Sequence, residues 1–250
     1  GAKLTIETST FENNRSSDDG GAMTVYTGST ATVRECQFRG NAAGYDGGGI
    51  IVWDDCELTV ENTQFEGNSS TSDGGALVVY TGSTATISES TFQGNTCDDG
   101  EGGGYGGAFE AWQNVTVTMG SCTFTGNFAP ESGGAVGIYD QSALTFRGCD
   151  FGGNHTETFG GALDVWYSDL QLVDCALRNN AVTGPGYGGG VYAFNSRIAA
   201  FNVLVAKNEA DYGGGMYFDA DASLALDRGT VAHNVGRTGV GGLFLYGPGH

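Results

Sequence analysis

The chain has 250 residues, a formal net charge of −19, 45 glycines and only 3 prolines. Ten basic residues against 29 acidic ones argue against nucleic-acid binding, which needs clustered Lys and Arg, and disfavour anionic membrane surfaces. The apolar fraction of 39 % is that of a folded protein, not of an acidic disordered tail.

The chain starts on Leu4-x-Ile6 and a first Phe11…Asn14. Two nearly identical stretches then set the pattern, Gly20 to Asn41 (GGAMTVYTGSTATVRECQFRGN) and Gly74 to Asn95 (GGALVVYTGSTATISESTFQGN). The closing Phe-x-x-Asn recurs at Phe65…Asn68, Phe124…Asn127 and Phe151…Asn154, then loosens to Leu177…Asn180, Val205…Asn208 and Val231…Asn234. The Gly-Gly opening recurs nine times, from Gly20-Gly21 to Gly241-Gly242. A period of about 27 residues without a helical pattern predicts a solenoid of about nine coils, each with three short strands. Every coil runs the same way, so the strands are parallel and equivalent positions form columns about 4.8 Å apart. The reading is all-β and one elongated domain over residues 1–250.

The first strand follows Gly-Gly, with inward columns through Met23, Ile50 and Leu77 and through Val25, Val52 and Val79. The residue between them ignores polarity: Thr24, Ile51, Val78, Glu110, Gly137, Asp164. The position ending this strand is aromatic in seven successive coils: Tyr26, Trp53, Tyr80, Trp112, Tyr139, Trp166 and Phe194. Alternation puts this ladder outside, where an exposed row of rings suits a glycan chain or a partner surface. The alternative is that the rings fold over a corner and stack as a structural ladder.

The second strand repeats an apolar-x-apolar pattern from Leu4-x-Ile6 to Leu144-x-Phe146, with outward Thr5, Thr32, Thr59, Thr86, Thr118 and Thr145. The neighbouring column has Thr30, Thr84 and Thr116, interrupted by Lys3, Glu57 and Ala143. A threonine face is the pattern of β-solenoid ice-binding proteins, and is also ordinary strand chemistry. The third strand carries a small inward residue (Ser9, Cys36, Thr63, Ser90, Cys122, Cys149, Cys175) before the inward Phe. These cysteines read as small core fillers, Cys56 and Cys97 fall in turns, and a Cys122–Cys149 bond stays open. The Asn after Phe reads as a structural turn residue that tolerates left-handed backbone and bonds locally. Three of the four Asn-x-Ser/Thr sites, Asn14, Asn68 and Asn154, are this same Asn, and the fourth is Asn114.

The turn before Gly-Gly is acid-rich, with Asp18, Asp98, Asp99, Glu101, Glu131, Glu157 and Asp211. Asp19, Asp46 and Asp73 share the column immediately before Gly-Gly. Stacked like charges either splay into solvent or hold a cation, and calcium accepts carboxylates in loose geometry. No other cofactor is implied. The Asp pairs Asp18-Asp19, Asp54-Asp55 and Asp98-Asp99 have no basic partner in their own turn. The histidines His155, His233 and His250 share no column, so a polysaccharide lyase or hydrolase is the lesser reading and the chain is expected not to be an enzyme.

Gly-Gly-Ala-(Ile/Leu/Val) alternating with Phe-x-x-Asn resembles the repeats of polymorphic outer membrane proteins, as in autotransporter passenger domains. The resemblance runs from Leu4 to Tyr246 and implies a right-handed parallel β-helix. It also implies an extracellular or cell-surface stalk, often adhesive, normally with a signal peptide and an anchor. Neither is read in this chain, and no apolar run approaches the roughly 20 residues of a membrane span. The chain starts and stops within a coil, so it is expected to be a segment of a longer array or to self-associate through its coil ends.

Overall fold

A computed structural model describes residues 1–98, 100 and 103–247. Asp99, Glu101 and His250, named above, lie outside the described residues. Three nine-stranded parallel sheets run the length of the molecule, one strand per coil in each. The first joins Met23–Val25 through Leu243–Tyr246, the second Lys3–Glu7 through Ser223–Asp227, and the third Thr10–Glu12 through Thr230–Ala232. The registers match the expected columns: Met23 pairs Ile50 and Ile50 pairs Leu77, Thr5 pairs Thr32, and Phe11 pairs Phe38.

Inside, the Phe column forms a continuous stack. Phe11, Phe38, Phe65, Phe92, Phe124 and Phe151 lie 4.7–5.0 Å apart between centroids with interplanar angles of 3–13°. The coil spacing sets that distance, so each ring buries both faces on its neighbours. All six cysteines are free and buried; Cys56 lies in the bend between strands as expected, whereas Cys97 lies in a short strand, Thr96–Cys97, rather than in a turn.

The Asn column is a hydrogen-bonded ladder. From Asn14 to Asn234, each backbone N–H and each Nδ2 donates to Oδ1 of the next coil's Asn, with Nδ2–Oδ1 distances of 2.8–3.1 Å. The second Nδ2 proton goes to the carbonyl of the aromatic or aliphatic residue one coil back, as from Asn127 to Phe92 at 3.0 Å. The left-handed backbone sits one residue earlier than the sequence suggests: Gly40 (φ 59°), Gly67 (φ 60°) and Gly94 (φ 59°) make the bend. The Asn is needed for its amide rather than for its backbone freedom. Asn68 and Asn154 are fully buried in this ladder, so their Asn-x-Ser/Thr sites are closed in the folded state.

Beyond the Asn the chain stays in register and adds a fourth, seven-stranded sheet of two-residue strands, from Ser69–Ser70 to Val235–Gly236. The sequence reads this stretch as turn. Strand pairing persists because the Asn ladder hands the next residue to its partner already aligned. The acid-rich turn then leads to Gly-Gly, whose first glycine is left-handed (Gly74, φ 50°; Gly133, φ 62°). The second has no room for a side chain: a Cβ on Gly134 would meet the Gly161 carbonyl oxygen at 2.4 Å.

Candidate functional site: an aromatic and acidic cleft on the outer face

The outer face of the first sheet is not a solvent face. Its middle column, expected to be indifferent to burial, is closed off at Ile51, Val78, Glu110, Asp164, Tyr192 and Tyr217. Two other columns cover it. One is the aromatic ladder. The other is the column before Gly-Gly, which continues past Asp19, Asp46 and Asp73 as Tyr105, Ser132, Phe159, Tyr187 and Tyr212. Side chains from the strand end and from the turn lean towards each other across the middle column.

The ladder is therefore both of the things the sequence allows. Tyr26 (58 % exposed) and Trp112 (38 %) stand in solvent, whereas Tyr80 (6 %) folds back onto Val78 and Ile51. Trp53, Tyr139, Trp166 and Phe194 are half-buried. Contacts run between Tyr26 and Trp53 (6.2 Å), Trp53 and Tyr80 (4.6 Å), Tyr80 and Trp112 (6.0 Å), and Trp166 and Phe194 (4.5 Å). Tyr139 leaves the row and meets Tyr105 edge-on at 5.7 Å across the face.

In the first three coils the pre-glycine column is a carboxylate ladder. Asp19 Oδ1 accepts the Asp46 backbone N–H at 3.3 Å, and Asp46 Oδ1 accepts that of Asp73 at 3.1 Å. The Tyr80 hydroxyl lies 3.0 Å from Asp46 Oδ2 and 3.2 Å from Asp73 Oδ2. The Tyr80 hydroxyl thus sits between two carboxyl groups with one proton to offer them. Burial and the neighbouring Asp46 charge push Asp73 up to about 7. Burial also raises Asp19 and Asp46, the latter against the Tyr80 hydrogen bond. Asp73 Oδ1 and, one coil on, Glu110 Oε2 are buried without a hydrogen-bond partner. Burial, with Asp73 and Asp46 nearby, raises Glu110 well above the carboxylate range.

Among the described residues no three His, Cys, Asp or Glu side chains converge as metal ligands.

In the fourth to sixth coils the face opens into a cleft of about 340 Å³. It opens there because the fifth coil is small at two of its three outward positions, Ser132 and Gly137. Tyr105 and Phe159 form one wall, and Trp112, Tyr139, Trp166 and Tyr167 the other. Tyr139 lies across the floor over Gly137; its hydroxyl donates to Asp164 Oδ2 at 2.8 Å and sits 2.7 Å from Ser132 Oγ. Asp164 Oδ1 accepts the Trp166 indole N–H at 2.9 Å, which fixes that ring. The Trp112 indole N–H donates to Asp140 Oδ2 at 2.5 Å. Burial pushes Asp164 up to about 7 despite its hydrogen bonds. Glu110 and Asp164 sit on the floor, and Glu131 and Asp140 on opposite rims.

The sequence finds the ladder and the Asp column but not Glu110, Asp164, Tyr105 or Phe159 as site residues. The signal is present: the pre-glycine column can be followed past Asp73 once composition is ignored and position alone is counted. The threonine column is in register as expected, from Thr5 to Thr145. Charged side chains flank it, with Arg34 bridging Glu61 at 3.1 Å.

Fold and cleft together define a parallel β-solenoid with a ligand-sized depression on its outer face. The family described as right handed beta helix region matches residues 1–151, more than half of the chain, and the protein belongs to that family. No curated protein and no solved structure matches it.

Proposed function

We propose that this is a non-enzymatic, extracellular or cell-surface β-helix that holds a glycan chain in the cleft between Trp112 and Trp166. The observation that carries this is the wall of rings: Trp112 and Tyr167 present exposed faces, and hydrogen bonds to Asp140 and Asp164 hold both indoles of the cleft in place. Sugar rings pack their apolar faces on such surfaces, and a pre-set ring loses little entropy on binding. The repeats' likeness to polymorphic outer membrane proteins supports surface placement and an adhesive role. Intrinsic fluorescence is the natural readout, because all three Trp are in the ladder. Replacing Trp112 and Trp166 by Ala removes binding to a glycan array while the β-sheet circular dichroism is kept. A blank array for the parent protein overturns the reading.

One observation favours a second reading. Asp164 and Glu110 are buried carboxyls in the cleft whose pKa burial pushes up, Asp164 to about 7, a shift suited to a general acid in glycosidic cleavage. Both of Asp164's oxygens are occupied in orienting Tyr139 and Trp166, which favours the binding role. Release of reducing ends from a bound polysaccharide would reverse that preference.

A further inference from the structure

The charge of the cleft narrows what it binds. Four carboxyl groups line it, Glu110 and Asp164 below and Glu131 and Asp140 on the rims, and among the described residues no Lys, Arg or His lines it. Glu110 is 1 % exposed and lies beside Asp73 of the preceding coil, and both Asp164 oxygens are held by Tyr139 and Trp166, so the rim acids Glu131 and Asp140 are the ones a ligand meets. The walls add the negative faces of aromatic rings. Carboxylates and ring faces attract the same kind of group, a cation, and both repel an anion. A neutral sugar would use the rings and leave the acids idle, and a uronic acid would be opposed by the two rim carboxylates, Glu131 and Asp140.

Resting on the glycan reading above, we propose that the ligand is a cationic amino-sugar chain, a polymer of unacetylated glucosamine type. Its ammonium groups lie between the Glu131 and Asp140 rims, and its sugar faces stack on Trp112 and Tyr167. The rims stand on opposite sides, Glu131 in the turn and Asp140 just past the end of the strand that carries Tyr139. A chain lying along the cleft therefore meets a carboxylate on each flank. The protein's net charge of −19 draws such a chain in from a distance at low salt.

The test titrates the protein, followed by tryptophan fluorescence at pH 6, with three hexamers: glucosamine, N-acetylglucosamine and galacturonic acid. Glucosamine hexamer is expected to bind roughly tenfold or more tighter than its acetylated counterpart, with affinity falling as salt rises, and the uronate not to bind. The pair Glu131→Gln and Asp140→Asn is expected to remove that preference; the amide oxygen introduced by Asp140→Asn can still accept the Trp112 indole N–H, so Trp112 stays in place. Unchanged circular dichroism and melting temperature show that the variant is folded. Equal binding of the glucosamine and acetylated hexamers overturns the cationic assignment while leaving the glycan reading intact. No binding of any hexamer overturns both. Oligolysine binding as tightly as glucosamine hexamer overturns the sugar assignment, because the surface is then a general cation patch.

Discussion

The ring of Tyr139 occupies the space that a side chain at Gly137 would take: a Cβ there would fall 2.6 Å from Tyr139 Cε2. The missing side chain lets Tyr139 reach Ser132 and Asp164 across the face. Gly137→Ala is expected to swing the ring outward and strand Asp164 Oδ2. Leaving one buried acceptor unpaired costs about 1–3 kcal/mol. Chemical denaturation of Gly137→Ala, Tyr139→Phe and the double variant checks this. The two losses should be strongly non-additive, since either change breaks the same bond. Additive losses would mean that the ring does not depend on the glycine.

The buried acids should make the protein more stable on mild acidification. Asp73 and Asp164 titrate at about 7 in the folded state against a reference of 3.8. Between about pH 4 and 7 the native state holds protons that the unfolded chain has released, so stability falls as pH rises through that window, by up to about 1.4 kcal/mol per pH unit for each group. The melting temperature is expected to be higher at pH 5.5 than at pH 8. Glu110→Gln, which mimics the protonated acid, should raise it at pH 8 more than at pH 5.5 and so flatten the profile. The upward shifts of Asp46, Asp73 and Glu110 let protons relieve their mutual repulsion, and chelator is then expected to leave the melting temperature unchanged. A rise specific to calcium at pH 8 would instead establish the cation reading of Asp19, Asp46 and Asp73.

Asn127 is fully buried, its side chain donates to Phe92 and Asn154, and it accepts from both nitrogens of Asn95. Asn127→Ala removes all four of these buried hydrogen bonds at once, and a loss of about 3 kcal/mol or more is expected. Contacts in a solenoid are between neighbouring coils, so hydrogen exchange should speed up first in the coils around residues 95, 127 and 154. Uniform acceleration along the whole chain would argue against this local picture.

The columns of the interior are legible in the sequence because each keeps one chemistry for many coils. Phe, Asn and Gly-Gly announce the stack, and alternation then fixes the inward columns. The outer face is harder to read, for two physical reasons. First, the pre-glycine column changes from Asp73 to Tyr105 partway along, so composition hides a continuous position. Second, alternation says which side a residue leaves from, not where its side chain ends. Tyr80 and Tyr139 leave outward and then fold over the sheet, and that is what buries Glu110 and Asp164. The fourth short sheet is missed for a related reason: two-residue strands such as Ser69–Ser70 carry no periodicity and exist only because the preceding Asn is already aligned.

The Asn column also has a direction. Each backbone N–H donates to the Oδ1 of the following coil, and since an oxygen only accepts, no amide in the row can be flipped without losing that bond. The side-chain amides from Asn14 to Asn234 therefore all point the same way, head to tail, each polarising the next. The row behaves as a single aligned dipole lying along the axis of the rod, acceptor-terminated at Asn14 and donor-terminated at Asn234. Two such rods laid tip to tip would continue the row only in one orientation, so the fold carries an electrical polarity that distinguishes its two ends.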